Sequence, residues 1–365
     1  MAGNAIDLNT KMKPKNIILI ALLFLIGCGT SSQQSKIVNV YTGTQGLVAE
    51  FSKSAPPPKV FEKSAFPIAV KIRNAGAYSL QANDGIISIG REKDYIPLIR
   101  FDSSSGVTQT TESKAAFSIN GKSQLNQAGD EVLITATATT GNLEEQSESK
   151  TSLLTATLCY PYKTTLSSTM CIDPDVIGLR PGKKVCTVKD IPLSGGQGAP
   201  IAITKIEPVM VPEVDDPNKE NKEKFIGYIR PQFLIYVENK ANGISVDQSK
   251  YRNVCDRQDL PDSGLQKDNI WNVATIRAFA SGKGGDVQLQ CCPNRNGECP
   301  EKESDQYSKE GLLRFRDKKD FIRCTFTQPV PRNLDAYTSP LRIEVDYGYI
   351  QTVTASTLLQ KPLRH

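Results

Sequence analysis

The feature that most constrains this chain lies near its start. An apolar run over residues 17–26 sits behind Lys13 and Lys15 and is followed by Gly27 and Cys28. The run is about ten residues long, half the ~20 that a spanning helix needs. A short apolar core behind basic residues, ending in small ones, is an export signal. Export in turn sets the redox compartment. The chain has 9 cysteines, and an even set in an exported chain reads as disulfides. Setting Cys28 aside leaves Cys159, Cys171, Cys186, Cys255, Cys291, Cys292, Cys299 and Cys324 as disulfide candidates. These pair in roughly a hundred ways, so connectivity is not readable. Local spacing favours Cys171 with Cys186 and Cys292 with Cys299, which leaves Cys291 to seek Cys255 or Cys324. A zinc site is a weak alternative: Cys291, Cys292 and Cys299 lack a two-residue ligand spacing, and no histidine lies near them. No metal and no cofactor are expected.

Charge and residue supply narrow the function classes. Lys11, Lys13 and Lys15 against Asp7 put +2 before Cys28, so the chain's formal +5 leaves +3 on the mature part. That mild excess is no footprint of nucleic-acid binding. The single histidine is His365, the last residue, which removes Ser-His-Asp and Cys-His machinery. Gly121-Lys122-Ser123 lacks the first glycine of a phosphate loop, since Ala116 stands there, and reads as a hairpin turn. Paired carboxylates would still permit glycoside hydrolysis. Asp173 with Asp175, and Asp215 with Asp216, are the candidates, yet each pair sits beside proline in a turn and reads as solvated. Calcium at Asp173-Pro174-Asp175 is a weak alternative without an EF-hand pattern.

After the export signal no long stretch has a helical apolar period. Short β-branched segments alternate with turn residues, the pattern of an all-β chain. Strands are expected over residues 46–51, 66–73, 85–89, 95–101, 115–119, 131–139 and 152–162, with 165–172 following. The second half adds 184–191, 199–207, 225–239, 270–279, 287–291, 312–315, 321–327 and 341–349, with 352–359 following. One helical turn is expected near residues 248–253.

The two halves resemble each other. FPIAVKIRNAG (66–76) matches FLIYVENKANG (233–243): an alternating strand runs into Asn and then a glycine turn. Tyr160-Pro161-Tyr162 matches Tyr347-Gly348-Tyr349, each followed by Thr, an aliphatic residue and a hydroxyl. We therefore expect two tandem immunoglobulin-like β-sandwich domains, a divergent internal repeat, over residues 41–180 and 200–360. A linker over 181–199 contains SGGQG (194–198). Residues 1–27 form the N-terminal extension and signal peptide, 28–40 a tether, and 361–365 a tail. The second domain carries a cysteine-rich insertion. Tyr160, Tyr162, Tyr347 and Tyr349 are candidate ligand-contact aromatics, since paired tyrosines can stack on sugar or grip a partner. The plainer expectation packs one of each pair in the core. Trp271, the only tryptophan, is expected to pack in the core.

Two family resemblances follow from these residues. Leu25-Ile26-Gly27-Cys28 resembles the lipobox of prokaryotic lipoproteins, which implies cleavage before Cys28 and its acylation. Val70-Lys71-Ile72-Arg73-Asn74-Ala75-Gly76 resembles the strand-and-turn motif of immunoglobulin-like, adhesion-related (CARDB-like) modules of bacterial and archaeal surfaces. The second copy departs by two inserted residues. Together they imply an exported lipoprotein, anchored by lipid on the outer face of a membrane, acting as a non-catalytic structural or protein-binding module. Its partner would be a cell-surface protein or a glycan, with no nucleic acid. A carbohydrate-binding module is the alternative, and a carboxylate-based glycoside hydrolase comes behind it.

Overall fold

The computed structural model describes residues 39–102, 107–178, 180, 182–214, 226–255, 270–282, 285–295, 297, 299 and 309–362. The lipobox with Cys28, the Asp215–Asp216 pair and His365 lie outside the described residues. From Asn39 onward the chain clusters as one compact unit. In chain order the strands of the first half are β1 (Leu47–Phe51), β2 (Lys59–Phe61), β3 (Ala65–Asn74), β4 (Leu80–Gly90), β5 (Leu98–Phe101), β6 (Thr108–Thr111), β7 (Lys114–Ile119), β8 (Glu131–Thr139) and β9 (Ser149–Ile172). Those of the second half are β10 (Ile191–Pro192), β11 (Ile201–Val214), β12 (Ile226–Asn239), β13 (Ile244–Val246), β14 (Val273–Gly282), β15 (Gly285–Gln288), β16 (Gln290–Cys292), β17 (Gly311–Arg314), β18 (Lys319–Thr325), β19 (Val330–Pro331) and β20 (Tyr337–Gln360). One short helix, α1 (Tyr251–Val254), follows β13.

Among the described residues the chain is all-β, as its alternation implies, and the strands form three sheets. A four-stranded sheet, β1-β3-β8-β5, belongs to the first half, and a six-stranded sheet built on β10-β11-β12-β18-β16 belongs to the second. The third has ten strands and contains the path β15-β14-β20-β9-β4-β7-β6, so it runs through both halves. Its centre is the antiparallel pair β9 and β20, each of 24 residues, which face each other from Ser149↔Gln360 to Ile172↔Tyr337. At about 3.3 Å per residue such a strand reaches ~80 Å, long enough to serve two sandwiches.

Each long strand does serve both. The early part of β9 pairs with β4 through Thr155–Cys159, while farther on its Thr164 hydroxyl donates to the Ile201 carbonyl at 2.6 Å in the second half. The early part of β20 pairs with β14 through Leu341–Asp346, while its far end pairs in parallel with β2 of the first half. The sequence had divided each of these strands in two, at residues 163–164 and 350–351; each is in fact continuous. The expected linker is likewise no free connector. Gly43 and Ala77 of the first half bond to it through the backbone: Gly43 N donates to Gly195 O, Gly198 N to Gly43 O, and Ala77 N to Gly198 O. The expected strand over 184–191 reduces to Ile191–Pro192, which pairs with β11. One apolar core extends through both halves.

The internal repeat is legible at the level of single hydrogen bonds. Asn74 Nδ2 donates to Tyr78 O at 2.7 Å, and its Oδ1 accepts from Gly76 N (3.2 Å) and from the Tyr162 hydroxyl (3.1 Å). Asn239 makes the same set: Nδ2 to Gly243 O at 2.9 Å, Oδ1 from Ala241 N (3.3 Å) and from the Tyr349 hydroxyl (3.0 Å). Leu47 N donates to the Tyr160 hydroxyl and Ile201 N to the Tyr347 hydroxyl, both at 3.4 Å. Across the ladder Tyr160 faces Tyr349, Tyr162 faces Tyr347, and Pro161 faces Gly348. The repeat relates Tyr160 to Tyr347 and Tyr162 to Tyr349, so a pseudo-dyad passes through the Pro161–Gly348 pair.

Each tyrosine therefore ties the shared sheet to the facing sheet of one half. Removing one hydroxyl leaves a buried amide oxygen with one donor fewer, a loss of about 1–2 kcal/mol. We predict that Tyr162→Phe and Tyr349→Phe lower stability by that amount and equally, measured by urea denaturation. A silent variant in either half would contradict the equivalence of the two sites.

Candidate functional site: a groove on the outer face of the shared sheet

The four tyrosines are not a ligand surface. All four are fully buried, their rings clustered at 5.7–6.3 Å between neighbouring centroids. Both the reading as contact aromatics and the plainer one, with one ring of each pair covering the sheet, are corrected. The reason is that the pseudo-dyad places all four rings on the same face of the sheet, between it and the other two sheets. Burial without charge compensation disfavours the phenolate. It holds the hydroxyls of Tyr160, Tyr162 and Tyr347 well above their ordinary range and that of Tyr349 at about 12.

The opposite face of the sheet is covered at its middle by α1. Tyr251 and Val254 pack there with Val246, Cys159 and Cys255, and partly buried Ile86, Ile350 and Trp271 flank them. A side chain at Gly348 would strike Tyr251 Cβ, at 2.6 Å from an ideal Cβ, so glycine is what lets the helix approach. The Tyr251 hydroxyl donates to Asp84 O at 3.1 Å, and Arg252 Nη2 to Asn83 O at 2.7 Å, which ties α1 of the second half to the first. Cys159 and Cys255 are joined in a disulfide that fastens the same contact covalently. The other disulfides join Cys171 with Cys186, Cys291 with Cys324, and Cys292 with Cys299. Cys291 and Cys324 face each other across the β16–β18 ladder.

Beside this cover lies a groove of about 830 Å³. Its floor is a set of hydroxyls on adjacent strands: Ser88 on β4, Thr155 and Thr157 on β9, and Thr352 on β20. Thr is a good strand former, and alternation sends these side chains outward while Ala156 and Leu158 between them enter the core. Thr157 Oγ1 and Thr352 Oγ1 lie 3.0 Å apart, one from each half. One wall is Trp271, placed by its bridge to Val246, with Val254 and Cys255. The other wall carries Arg91, Lys93 and Glu112. Arg91 is held in place: Nε donates to Ile96 O and Nη2 to Pro97 O, both at 2.8 Å, and Glu112 lies 3.5 Å away.

Trp271 is thus half-buried on the groove rather than in the main core. The hydroxyls of the floor went unremarked in the sequence. Their outward direction follows from alternation, but which strands stand side by side does not. The Asp173–Asp175 pair is closed by Lys184, whose Nζ lies 2.6 Å from Asp173 and 3.4 Å from Asp175. That ammonium stands where a cation ligated by both carboxylates would sit. Asp173's hydrogen bond raises the Lys184 pKa.

No protein-family model matches this chain, and no curated protein matches it. Among solved structures it is similar to the C-terminal domain of the Streptococcus pyogenes antigen I/II-family protein AspA. That similarity has 7% identity and a TM-score of 0.20 and covers 87% of this chain and 100% of that one. It is also similar to a partial N-terminal region of the enterococcal surface protein, with 5% identity, a TM-score of 0.19 and coverage of 89% and 96%. At such TM-scores neither similarity carries an argument.

Two predictions follow from burial and from the staples. The four tyrosines have folded pKa values above the unfolded 10.0, so the stability they contribute is complete below pH 10 and is lost progressively as pH rises past 10, up to about 12 for Tyr349 and further for the other three. Each costs about 1.4 kcal/mol per pH unit in that window. Thermal unfolding between pH 8 and 11.5 should show a steep loss beginning near pH 10, with phenolate absorbance from these residues appearing only on unfolding. The Cys159–Cys255 disulfide spans 96 residues and Cys292–Cys299 spans 7. Replacing the first pair by serine should therefore cost about 2 kcal/mol more than replacing the second, by denaturant titration of the two double variants.

Proposed function

We propose that the mature chain is a non-catalytic, adhesion-like binding module, held by lipid on Cys28 at the outer face of a membrane and presenting the groove of the shared sheet to a partner. The observation that carries this reading is the groove's place. It lies across strands of both halves, on a body locked by the β9–β20 ladder, the tyrosine pairs and a disulfide, so its walls are fixed before any partner arrives. Preformed walls reduce the ordering cost of binding. Four disulfides suit a chain that folds outside the reducing cytosol. The lining also speaks for binding over catalysis. Among its described residues the one carboxylate is Glu112, beside Arg91, whereas glycoside hydrolysis works with a facing pair.

The anchor and the binding role are tested on cells. Two or more acyl chains hold a protein stably on a bilayer. The wild-type chain should fractionate with membranes and become exposed to added protease on intact or wall-stripped cells, while Cys28→Ser should appear in the soluble exported fraction. Cross-linking on the same cells should join the wild-type chain to a surface component. A wild-type chain found in the cytosol would overturn the proposal.

A further inference from the structure

We propose that the groove binds a neutral saccharide, an assignment that rests on the reading of this chain as a surface binding module and names its ligand class. The first argument is what the floor has left to offer. Thr155 and Thr157 stand on β9 where it is paired on both sides, with Gly90 to Ser88 of β4 and with Thr354 to Thr352 of β20. The backbone donors and acceptors of β9 there are committed to the two ladders. An extended peptide, which docks on a sheet through main-chain hydrogen bonds at a free edge, finds none on β9 and would have to reach past this floor to the far side of β20, which pairs with β13 at Gly348–Ile350 and with β2 at Leu358–Gln360. What remains is side-chain hydroxyl: Ser88, Thr155, Thr157 and Thr352, the last two sharing one hydrogen bond that leaves one of their protons and their further lone pairs to a ligand. A sugar ring presents the same groups in the same density.

The second argument is the walls. Trp271 supplies a broad apolar face beside the hydroxyl floor, the pairing of ring and polar group that an amphipathic pyranose matches. A purely apolar ligand would meet a floor of hydroxyls rather than the apolar lining usual for such pockets. An anionic ligand would seek a guanidinium fork, but Arg91 is already engaged by Ile96 O, Pro97 O and Glu112, and Lys93 on the same wall is a point charge without a fork. The volume, about 830 Å³, lies within the range of small-ligand sites, roughly 300–1,000 Å³. The groove is also joint property: Thr155 and Thr157 come from one copy of the repeat, Thr352 and Trp271 from the other, so neither sandwich alone would build it.

The test uses the whole mature chain against an array of defined neutral oligosaccharides (glucose, mannose, galactose and N-acetylhexosamine series), with sialylated and uronate-bearing oligosaccharides as a second arm. We expect retention on members of the neutral arm. Thr157→Val together with Thr352→Val should weaken it about tenfold, the loss of one or two hydrogen bonds, and Trp271→Ala should weaken it at least as much. Circular dichroism and thermal unfolding check that each variant folds; the two threonines, one half-buried and one exposed, serve if Trp271→Ala does not. Leu125→Ala, a fully exposed site away from the groove, should bind as wild type. Retention on the acidic arm alone, or neutral retention unchanged by the threonine variants, overturns the assignment. If no oligosaccharide is retained but a surface protein is cross-linked on cells, the saccharide assignment falls and the module reading stands. If neither is found, both fall.

Discussion

The ladder between β9 and β20 is the constraint on which the rest of this structure depends. Two β-sandwiches joined only by a linker would each close their own sheets. Here each sandwich borrows part of its central sheet from the long strand of the other half, so neither has a complete core without its partner. The four tyrosines make that exchange specific. Their hydroxyls reach Asn74, Leu47, Asn239 and Ile201, which fixes where each facing sheet sits against the shared one. A slip of β9 against β20 by one residue would turn the two rings of one strand to the face opposite the other two.

The pseudo-dyad also explains what breaks the symmetry. Pro161 and Gly348 occupy equivalent positions and face each other. Pairing of β9 with β4 ends at Cys159, so Pro161 lies where one side of the strand has no ladder, and a residue without an N–H is tolerated there. Gly348 instead makes room for Tyr251. With Gly in one copy and Pro in the other, the outer face gained a helix from the second half and a disulfide from that helix to the first. The groove is the space left beside this cover.

Much of the architecture was legible in the chain. Period-two alternation gave an all-β fold, and the paired Asn-turn and Tyr-x-Tyr landmarks marked an internal repeat whose members do make equivalent contacts. What was not legible was which strands would face each other. A tyrosine in a strand reads the same whether its face meets solvent or another sheet, so Tyr160, Tyr162, Tyr347 and Tyr349 passed for surface candidates. The breaks expected at residues 163–164 and 350–351 fall inside strands that are continuous, because the ladder between β9 and β20 carries both through those positions. The groove escaped notice for the same reason: Thr155, Thr157 and Thr352 become neighbours only through the ladder.

The most direct test of this account is amide hydrogen exchange along the two long strands. A continuous β9–β20 ladder should give protection running without interruption through residues 149–172 and 337–360, at one common free energy in both halves. Fast exchange around residues 163–165 and 350–352, separating each strand into two independently protected pieces, would contradict it.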